Sequence, residues 1–102
     1  MVEPLVIKPP ARLDTASSPL FEQEVVEKIR TGAQSLIMDF SDVSYISSAG
    51  LRVLLIAAKR LKAANGRIAL CGVQENSRKV LEISGFIQLL PLYPSLEEAL
   101  AT

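Results

Sequence analysis

Two apolar runs on either side of a long amphipathic segment restrict the fold more than any other feature of this chain. Residues 35–40 (Ser-Leu-Ile-Met-Asp-Phe) and 67–73 are largely apolar without alternating polar positions, which is typical of strands buried on both faces. Between them, residues 48–64 repeat apolar side chains at helical spacing and are followed by Asn65-Gly66, a helix-ending pair. Strand, helix and strand in this order predict an α/β sheet with crossover helices.

The helix predicted over 48–64 has an apolar face and a charged face. The residues expected to point inward are Leu51, Leu54, Leu55, Ala58 and Leu61. Those expected to point outward are Arg52, Lys59 and Lys62. For the two lysines we prefer the interpretation that they belong to a solvated helix face.

The remaining elements are predicted from the residues that begin or end them. An edge strand is predicted over 5–8, stopped by Pro9-Pro10, and a last strand over 87–92. A first helix is predicted with Ser18 as its N-cap, Pro19 as its first residue and Gly32 at its end. Two further helices are predicted, one over 75–84 that ends at Gly85 and a terminal one that begins with the capping box at Ser95. Residues 1–102 are therefore predicted to form a single α/β domain, with a mixed β-sheet and helices packed on it.

The composition argues against several classes of function. Lys plus Arg and Asp plus Glu both total 11, so no net field attracts nucleic acid or an anionic membrane. The chain has no histidine and one cysteine, which leaves no usual base, zinc site or internal disulfide. Asp39 and Asp42 are interpreted as a strand end and a turn residue rather than as paired catalytic carboxylates. We expect a protein that is not an enzyme and needs no metal or cofactor.

The N-terminus and the overall hydropathy predict a cytoplasmic protein. Residues 1–10 have no basic start and no long apolar stretch, so they do not resemble a signal peptide. No apolar run approaches the roughly 20 residues that cross a bilayer. The single cysteine, Cys71, is expected to be a buried thiol, which fits a reducing compartment.

Ser47 and Ser48 lie directly before the apolar helix and are the candidate functional residues. A serine oxygen at this place can accept a bond from a free backbone N–H, so Ser48 is either an N-cap alone or a group with a further role. Ala49 and Gly50 are small, and we expect them to let another protein's backbone approach closely. A phosphate on Ser48 would add about −1.5 to −2 charges where the helix dipole favours an anion, so it should change binding rather than folding.

Residues 45–51 (Tyr-Ile-Ser-Ser-Ala-Gly-Leu) resemble the signature of STAS domains, in particular of bacterial anti-sigma factor antagonists. Leu13-Asp14, Asn65-Gly66 and residues 80–86 (Val-Leu-Glu-Ile-Ser-Gly-Phe) resemble further parts of that family in the same order. The family has an aspartate directly before the phosphorylated residue, and Ser47 stands in that place here. The resemblance implies a STAS-like α/β fold and a monomer or weak dimer.

The resemblance also implies a phosphorylation-controlled partner switch. Its phosphoacceptor would be Ser48, with Ser47 as the second candidate. The partners implied are an anti-sigma factor serine kinase, which binds the unphosphorylated form, and a metal-dependent serine phosphatase. The predicted contact surface consists of Asp14, Thr15, Ser17, Ser47, Ser48, Ala49, Gly50 and Arg52. Two other roles remain open, a non-phosphorylated STAS adaptor subunit of a membrane lipid transporter and a nucleotide-binding regulatory domain.

Overall fold

Strands and helices alternate along the chain in this computed structural model, which describes residues 3–101. The strands are β1 (Leu5–Ile7), β2 (Arg12–Leu13), β3 (Ser35–Asp39), β4 (Tyr45–Ile46), β5 (Arg67–Cys71) and β6 (Leu92–Tyr93). The helices are α1 (Ser18–Arg30), α2 (Ser48–Ala63), α3 (Glu75–Ser84) and α4 (Leu96–Leu100), with a 3-10 turn at Phe86–Gln88. Residues 1, 2 and 102, at the ends of the predicted 1–102 domain, lie outside the described residues.

The strands form a four-stranded sheet in the order β1-β3-β5-β6 and a two-stranded ribbon of β2 and β4. The α/β class is confirmed, and so is the position of β1 at an edge. Every pairing within residues 3–101 is parallel, where a mixed sheet was expected. Parallel pairing follows from the helical crossovers, since each carries the chain back to the same end of the sheet.

The core lies mainly between the sheet and α1, α2 and α3. β3 is buried at all five positions, as its apolar run predicts. Leu36 and Met38 face α1 to α3, while Ile37 points to the other face, where it packs with Cys71 and with Ala99 of α4. The expected buried thiol is confirmed, because Cys71 is fully inaccessible and burial raises the pKa of its thiol.

Two predicted helix features are correct in kind but shifted in position. Ser17, not Ser18, is the N-cap of α1, and Ser18 is the first helical residue. Of the predicted inner stripe of α2, Leu54 and Leu61 are buried and Leu51, Leu55 and Ala58 are half-buried, while Gly50, Val53 and Ala57 complete the buried face. Arg52, Lys59 and Lys62 are exposed as expected.

The prediction of a strand over 87–92 is wrong. Gly85 ends α3 in the left-handed conformation, with φ of +81°, and the chain then forms the 3-10 turn. Only Leu92–Tyr93 pairs with β5. Pro91 cannot donate a ladder hydrogen bond, although its carbonyl accepts one from the Leu70 N–H, so regular pairing starts after it.

Candidate functional site

Ser47 holds the start of α2 in place. Its extended backbone (φ −95°, ψ 176°) lets the side-chain oxygen accept a hydrogen bond from the Gly50 N–H, with an N···O distance of 3.3 Å. The Ser47 N–H in turn donates to the carbonyl oxygen of Leu13 in β2, at 2.9 Å. The interpretation of Ser48 as the N-cap is therefore wrong, because Ser47 has that place and makes the capping bond.

Ser48 is the first residue of α2, and its side chain is exposed. Within residues 3–101 its hydroxyl has no hydrogen-bond partner, so the oxygen is available to an incoming group. The first four N–H groups of a helix lack partners within the helix, and the helix dipole adds a partial positive charge there. An anion attached to Ser48 would lie in that favourable field.

Gly50 is buried against the ribbon of β2 and β4, contrary to the expectation that it keeps the surface open to a partner. A Cβ atom there would lie 2.7 Å from the Leu13 carbonyl oxygen, 2.8 Å from Leu13 Cγ and 2.9 Å from Ile46 Cγ1. Such distances are shorter than van der Waals contact, so no larger residue fits without movement. The absence of a side chain at Gly50 lets α2 dock closely and so fixes where Ser48 emerges.

The loop before α1 forms the second part of the site and is built around Asp14 and Ser17. Asp14 Oδ1 accepts hydrogen bonds from the backbone N–H groups of Ala16 (3.1 Å) and Ser17 (3.0 Å). The Ser17 hydroxyl donates to the Arg12 carbonyl at 2.6 Å and accepts from the Asp14 N–H at 3.1 Å. These short local bonds hold the loop in one conformation.

The charge of Asp14 is stabilised by this loop. The hydrogen bond from the Ser17 N–H is the main reason that the pKa of Asp14 lies below its usual value, and Arg12 contributes from 3.6 Å. The Arg12 guanidinium also lies 4.6 Å from the centre of the Tyr45 ring, in cation–π geometry. Asp14 thus remains ionised at neutral pH beside the ribbon that carries the start of α2.

A depression of about 450 Å³ lies between the starts of α1 and α2. It is lined by Thr15, Ser18, Pro19, Glu22, Gln23, Ala49 and Arg52. Of the residues predicted to contact a partner, the depression thus brings together Thr15, Ala49 and Arg52. Glu22 and Gln23 were missed by the sequence analysis, although they follow Ser18 and Pro19 by one helical turn and so share their face.

Asp39 makes the local backbone contact expected of a residue that ends a strand, whereas no turn-capping hydrogen bond of Asp42 is present among residues 3–101. Asp39 Oδ1 accepts from the Ser41 N–H at 3.0 Å, and this bond is the largest cause of its lowered pKa. Lys8 Nζ lies 3.8 Å from Asp39 and 3.7 Å from Asp42. Among residues 3–101, no group of three or more Asp, Glu, His or Cys side chains is arranged to hold a metal ion.

The helices of the described part of the chain are too short or too polar to cross a membrane. The longest, α2, has 16 residues, below the length of roughly 20 that a bilayer requires.

Comparison with known proteins places the chain among STAS domains and their relatives. The family model for the STAS domain matches residues 2–99. The chain is 37% identical over 89 residues to a protein of Bordetella bronchiseptica named as an anti-sigma factor antagonist, BtrV, covering 87% of this chain and 77% of that protein.

Two solved structures share the fold. A Thermotoga maritima protein, also named as an anti-sigma factor antagonist, superposes with a TM-score of 0.92 at 23% identity, covering 96% of this chain and 85% of that one. The Bacillus cell fate determinant SpoIIAA in its phosphorylated form superposes with a TM-score of 0.77 at 25% identity, covering 99% and 91%.

Proposed function

The chain belongs to the STAS domain family and is homologous to anti-sigma factor antagonists, and from this premise we propose that it acts as a phosphorylation-controlled partner switch. Its unphosphorylated form binds an anti-sigma factor that is also a serine kinase. The kinase transfers the γ-phosphoryl group of ATP to the Ser48 oxygen, the Ser48 proton is lost, and ADP leaves. A metal-dependent phosphatase restores the hydroxyl by hydrolysis. The chain is the substrate and ligand in this cycle, not the catalyst.

The observation that carries the proposal is the exposed, unpartnered hydroxyl of Ser48 beside the engaged hydroxyl of Ser47. Phosphorylation of Ser47 would place the phosphate on the oxygen that already caps α2, whereas phosphorylation of Ser48 breaks no hydrogen bond within residues 3–101. Ser48 is therefore favoured over Ser47. A structural relative, SpoIIAA, is known in a phosphorylated form, which supports modification as a property of this fold.

The proposed contact surface combines the loop before α1 with the start of α2. Asp14, Thr15 and Ser17 supply the first part, and Ser47, Ser48, Ala49 and Arg52 the second. Gly50 lies beneath this surface and sets its position instead of contacting the partner. A phosphate of about −1.5 to −2 charges at Ser48 is compatible with the helix terminus but must be desolvated by any partner that covers it. Modification should therefore end binding without unfolding the chain.

The acceptor assignment is tested by incubating the purified chain with ATP, magnesium and a lysate of the source organism, followed by phosphopeptide mapping. We expect one phosphate on Ser48 in the wild-type chain and in Ser47→Ala, and none in Ser48→Ala. Full modification of Ser48→Ala at Ser47 would contradict the assignment. A chain that gains no phosphate but co-purifies stably with an ATPase subunit would instead favour the adaptor role. Saturable nucleotide binding in calorimetry would favour the regulatory domain.

The effect on binding is tested with a charge that mimics part of the phosphate. Ser48→Asp should weaken binding of the kinase purified from that lysate about tenfold or more. The added negative charge is costly in the interface because it must be desolvated or meets a like charge of the partner. Asn76→Asp is the matched control, since Asn76 is exposed at the second residue of α3 and gains the same charge at another helix start. Ser48→Ala should keep both fold and binding. Equal weakening by both aspartates would show that general charge, not this surface, controls the complex.

A further inference from the structure

The far end of α2 forms one wall of a groove that the proposed switch does not use. The groove lies between the last turns of α2, the beginning of β5 and the segment that precedes β6, and its volume is about 390 Å³. This volume is in the range of small-molecule pockets.

The inner surface of the groove is apolar. Ile68, which is 7% exposed, and the fully buried Leu61 lie at its base, and Leu89 and Pro91 form an exposed wall that supplies most of the accessible apolar surface. Leu89 has 52% of its surface accessible, although the core lies directly behind this segment. Apolar surface left accessible in a concave place gains free energy when an apolar ligand covers it.

The rim of the groove is cationic. Lys59, Lys62 and Arg67 line it, and none of its lining residues is acidic. The two lysine charges, one helical turn apart, contrast with the zero net charge of the whole chain. They form a local field that favours an anion.

Most cations of the neighbouring helices are paired with glutamates; within residues 3–101, Lys28 of α1 is the exception. In α1 and α3, Arg30, Arg78 and Lys79 each pair with a glutamate one turn away. The α2 sequence SAGLRVLLIAAKRLKA contains no Asp or Glu, and within residues 3–101 neither Lys59 nor Lys62 has an ion-pair partner. Cations near a helix C-terminus also offset the helix dipole. That effect does not require an apolar groove beside them.

We propose that this groove binds a small amphipathic carboxylate, with an unbranched apolar tail of medium length against Ile68, Leu89 and Pro91 and its carboxylate between Lys59 and Lys62. The apolar base and the unpaired lysines are complementary to the two ends of such a molecule. A compact concave site of this volume favours a small molecule over a protein segment, which would need a longer groove. The site is at the opposite end of α2 from Ser48, so it is separate from the proposed switch surface.

The proposal is tested by titrating the isotope-labelled chain with decanoate below its micelle threshold and following backbone amide shifts by NMR. We expect saturable shifts at residues of the groove. The double variant Lys59→Gln/Lys62→Gln should bind about tenfold more weakly, as the loss of two exposed ion pairs predicts. Leu89→Gln should also weaken binding, because it makes the tail wall polar.

The controls separate a built site from general attraction. Lys28→Gln/Lys79→Gln removes the same charge from exposed lysines that do not line the groove, and it should bind decanoate like the wild type. Decyltrimethylammonium has the same tail with a cationic head and should not bind there. Equal weakening by both double variants, equal binding of the cationic amphiphile, or no saturable shifts at the groove would overturn the proposal. So would tighter binding of a peptide that carries acidic and apolar residues, which would make the groove a protein docking site.

Discussion

The starts of α1 and α2 contain the same pair of serines but place them in opposite ways. Ser17 and Ser47 are the N-caps, and Ser18 and Ser48 are the first helical residues. Ser18 is 3% exposed and its hydroxyl has no hydrogen-bond partner in the described chain, whereas Ser48 is exposed. Two residues further along each helix the exposure is the other way round. Leu20 of α1 is 73% exposed, whereas Gly50 of α2 is buried.

The reversal follows from the rotation of each helix about its axis. Residues two apart on a helix point in nearly opposite directions, at about 100° per residue, so burying one exposes the other. α1 buries Ser18 on the face of Phe21 and Val25, and α2 buries Gly50 on the face of Val53 and Leu54. The availability of a serine for modification is thus determined by packing against the rest of the fold. Its place in a cap sequence does not determine it.

The caps differ too, and for a backbone reason. Ser47 is extended, so its side-chain oxygen reaches the N–H of Gly50. Ser17 has helical dihedral angles (φ −90°, ψ −22°), makes no capping bond and binds the Arg12 carbonyl instead. The start of α2 is therefore fixed by its own cap, while the start of α1 is fixed by the loop before it.

Among substitutions at the two helix starts, Gly50→Ala should change the free energy of unfolding most. In an exposed helix this change stabilises by about 0.5–1 kcal/mol, but here the added Cβ meets the Leu13 carbonyl at 2.7 Å. Overpacking of about 1–3 kcal/mol should outweigh the gain and lower the free energy of unfolding by about 1–2 kcal/mol. Urea denaturation measures it. Leu20→Ala, at the equivalent position of α1, should change stability by less than about 0.5 kcal/mol, and a stabilising Gly50→Ala would contradict the close packing.

Ser47→Ala should lower the free energy of unfolding by about 1 kcal/mol, the usual cost of losing an N-cap. Ser48→Ala should change it by less than about 0.5 kcal/mol, because that hydroxyl has no partner in the described chain. Chemical denaturation of the two variants side by side measures the difference. If Ser48→Ala were the more destabilising change, Ser48 would be the cap.

Ser18→Ala should raise the free energy of unfolding by roughly 0.5–1 kcal/mol. The change removes a buried hydroxyl that lacks a partner, and such a group costs about 1–3 kcal/mol when left unsatisfied. Thermal and urea unfolding measure the gain. A loss of stability would show that the Ser18 hydroxyl makes a hydrogen bond, for example to a bound water molecule.

The smallest expected difference between the two helix starts is in how their contribution to stability depends on pH. The hydrogen bond from Ser17 holds the pKa of Asp14 below its ordinary value of 3.8, so Asp14 stabilises the fold above that pH, and this stabilisation is lost as the pH falls below it. Asp14→Asn should therefore destabilise the chain at neutral pH, with the difference from wild type shrinking below 3.8. Unfolding midpoints across pH measure this. The difference caused by Ser47→Ala should not depend on pH, because no carboxylate takes part in that cap.

The elements that were predicted correctly are those whose defining residues lie within one short segment of the sequence. The apolar run of β3 marks a strand buried on both faces, and the left-handed Gly85 marks the end of α3. Glu75 and Lys79 pair within α3 at 3.7 Å, as their spacing predicts. Ser95 accepts a hydrogen bond from the Glu98 N–H and opens α4, although no bond from the Glu98 side chain back to Ser95 is present among residues 3–101.

The features that the sequence did not predict depend on contacts between distant segments. β2 and β4 have two residues each, too few to show a period, and each is a strand only because the other lies beside it. α2 is apolar over most of its circumference, with Leu51 and Leu55 half-buried, so its sequence does not fix its rotation. Ser48 lies one helical turn before the half-buried Leu51 but is itself exposed. Docking through Gly50 turns it outward.

The ribbon of β2 and β4 joins segments that are far apart along the chain. Ala11 accepts a hydrogen bond from the Ser44 hydroxyl across 33 residues, and Leu13 accepts one from the Ser47 N–H. α1 and β3 lie between these segments in the sequence, so the ribbon forms only when distant parts of the chain come together. A ribosome-bound or partly unfolded chain therefore contains Ser48 without the surface around it. A kinase that contacts the loop before α1 and the start of α2 together would distinguish folded molecules from unfolded ones. A peptide of α2 alone would then be a poor substrate.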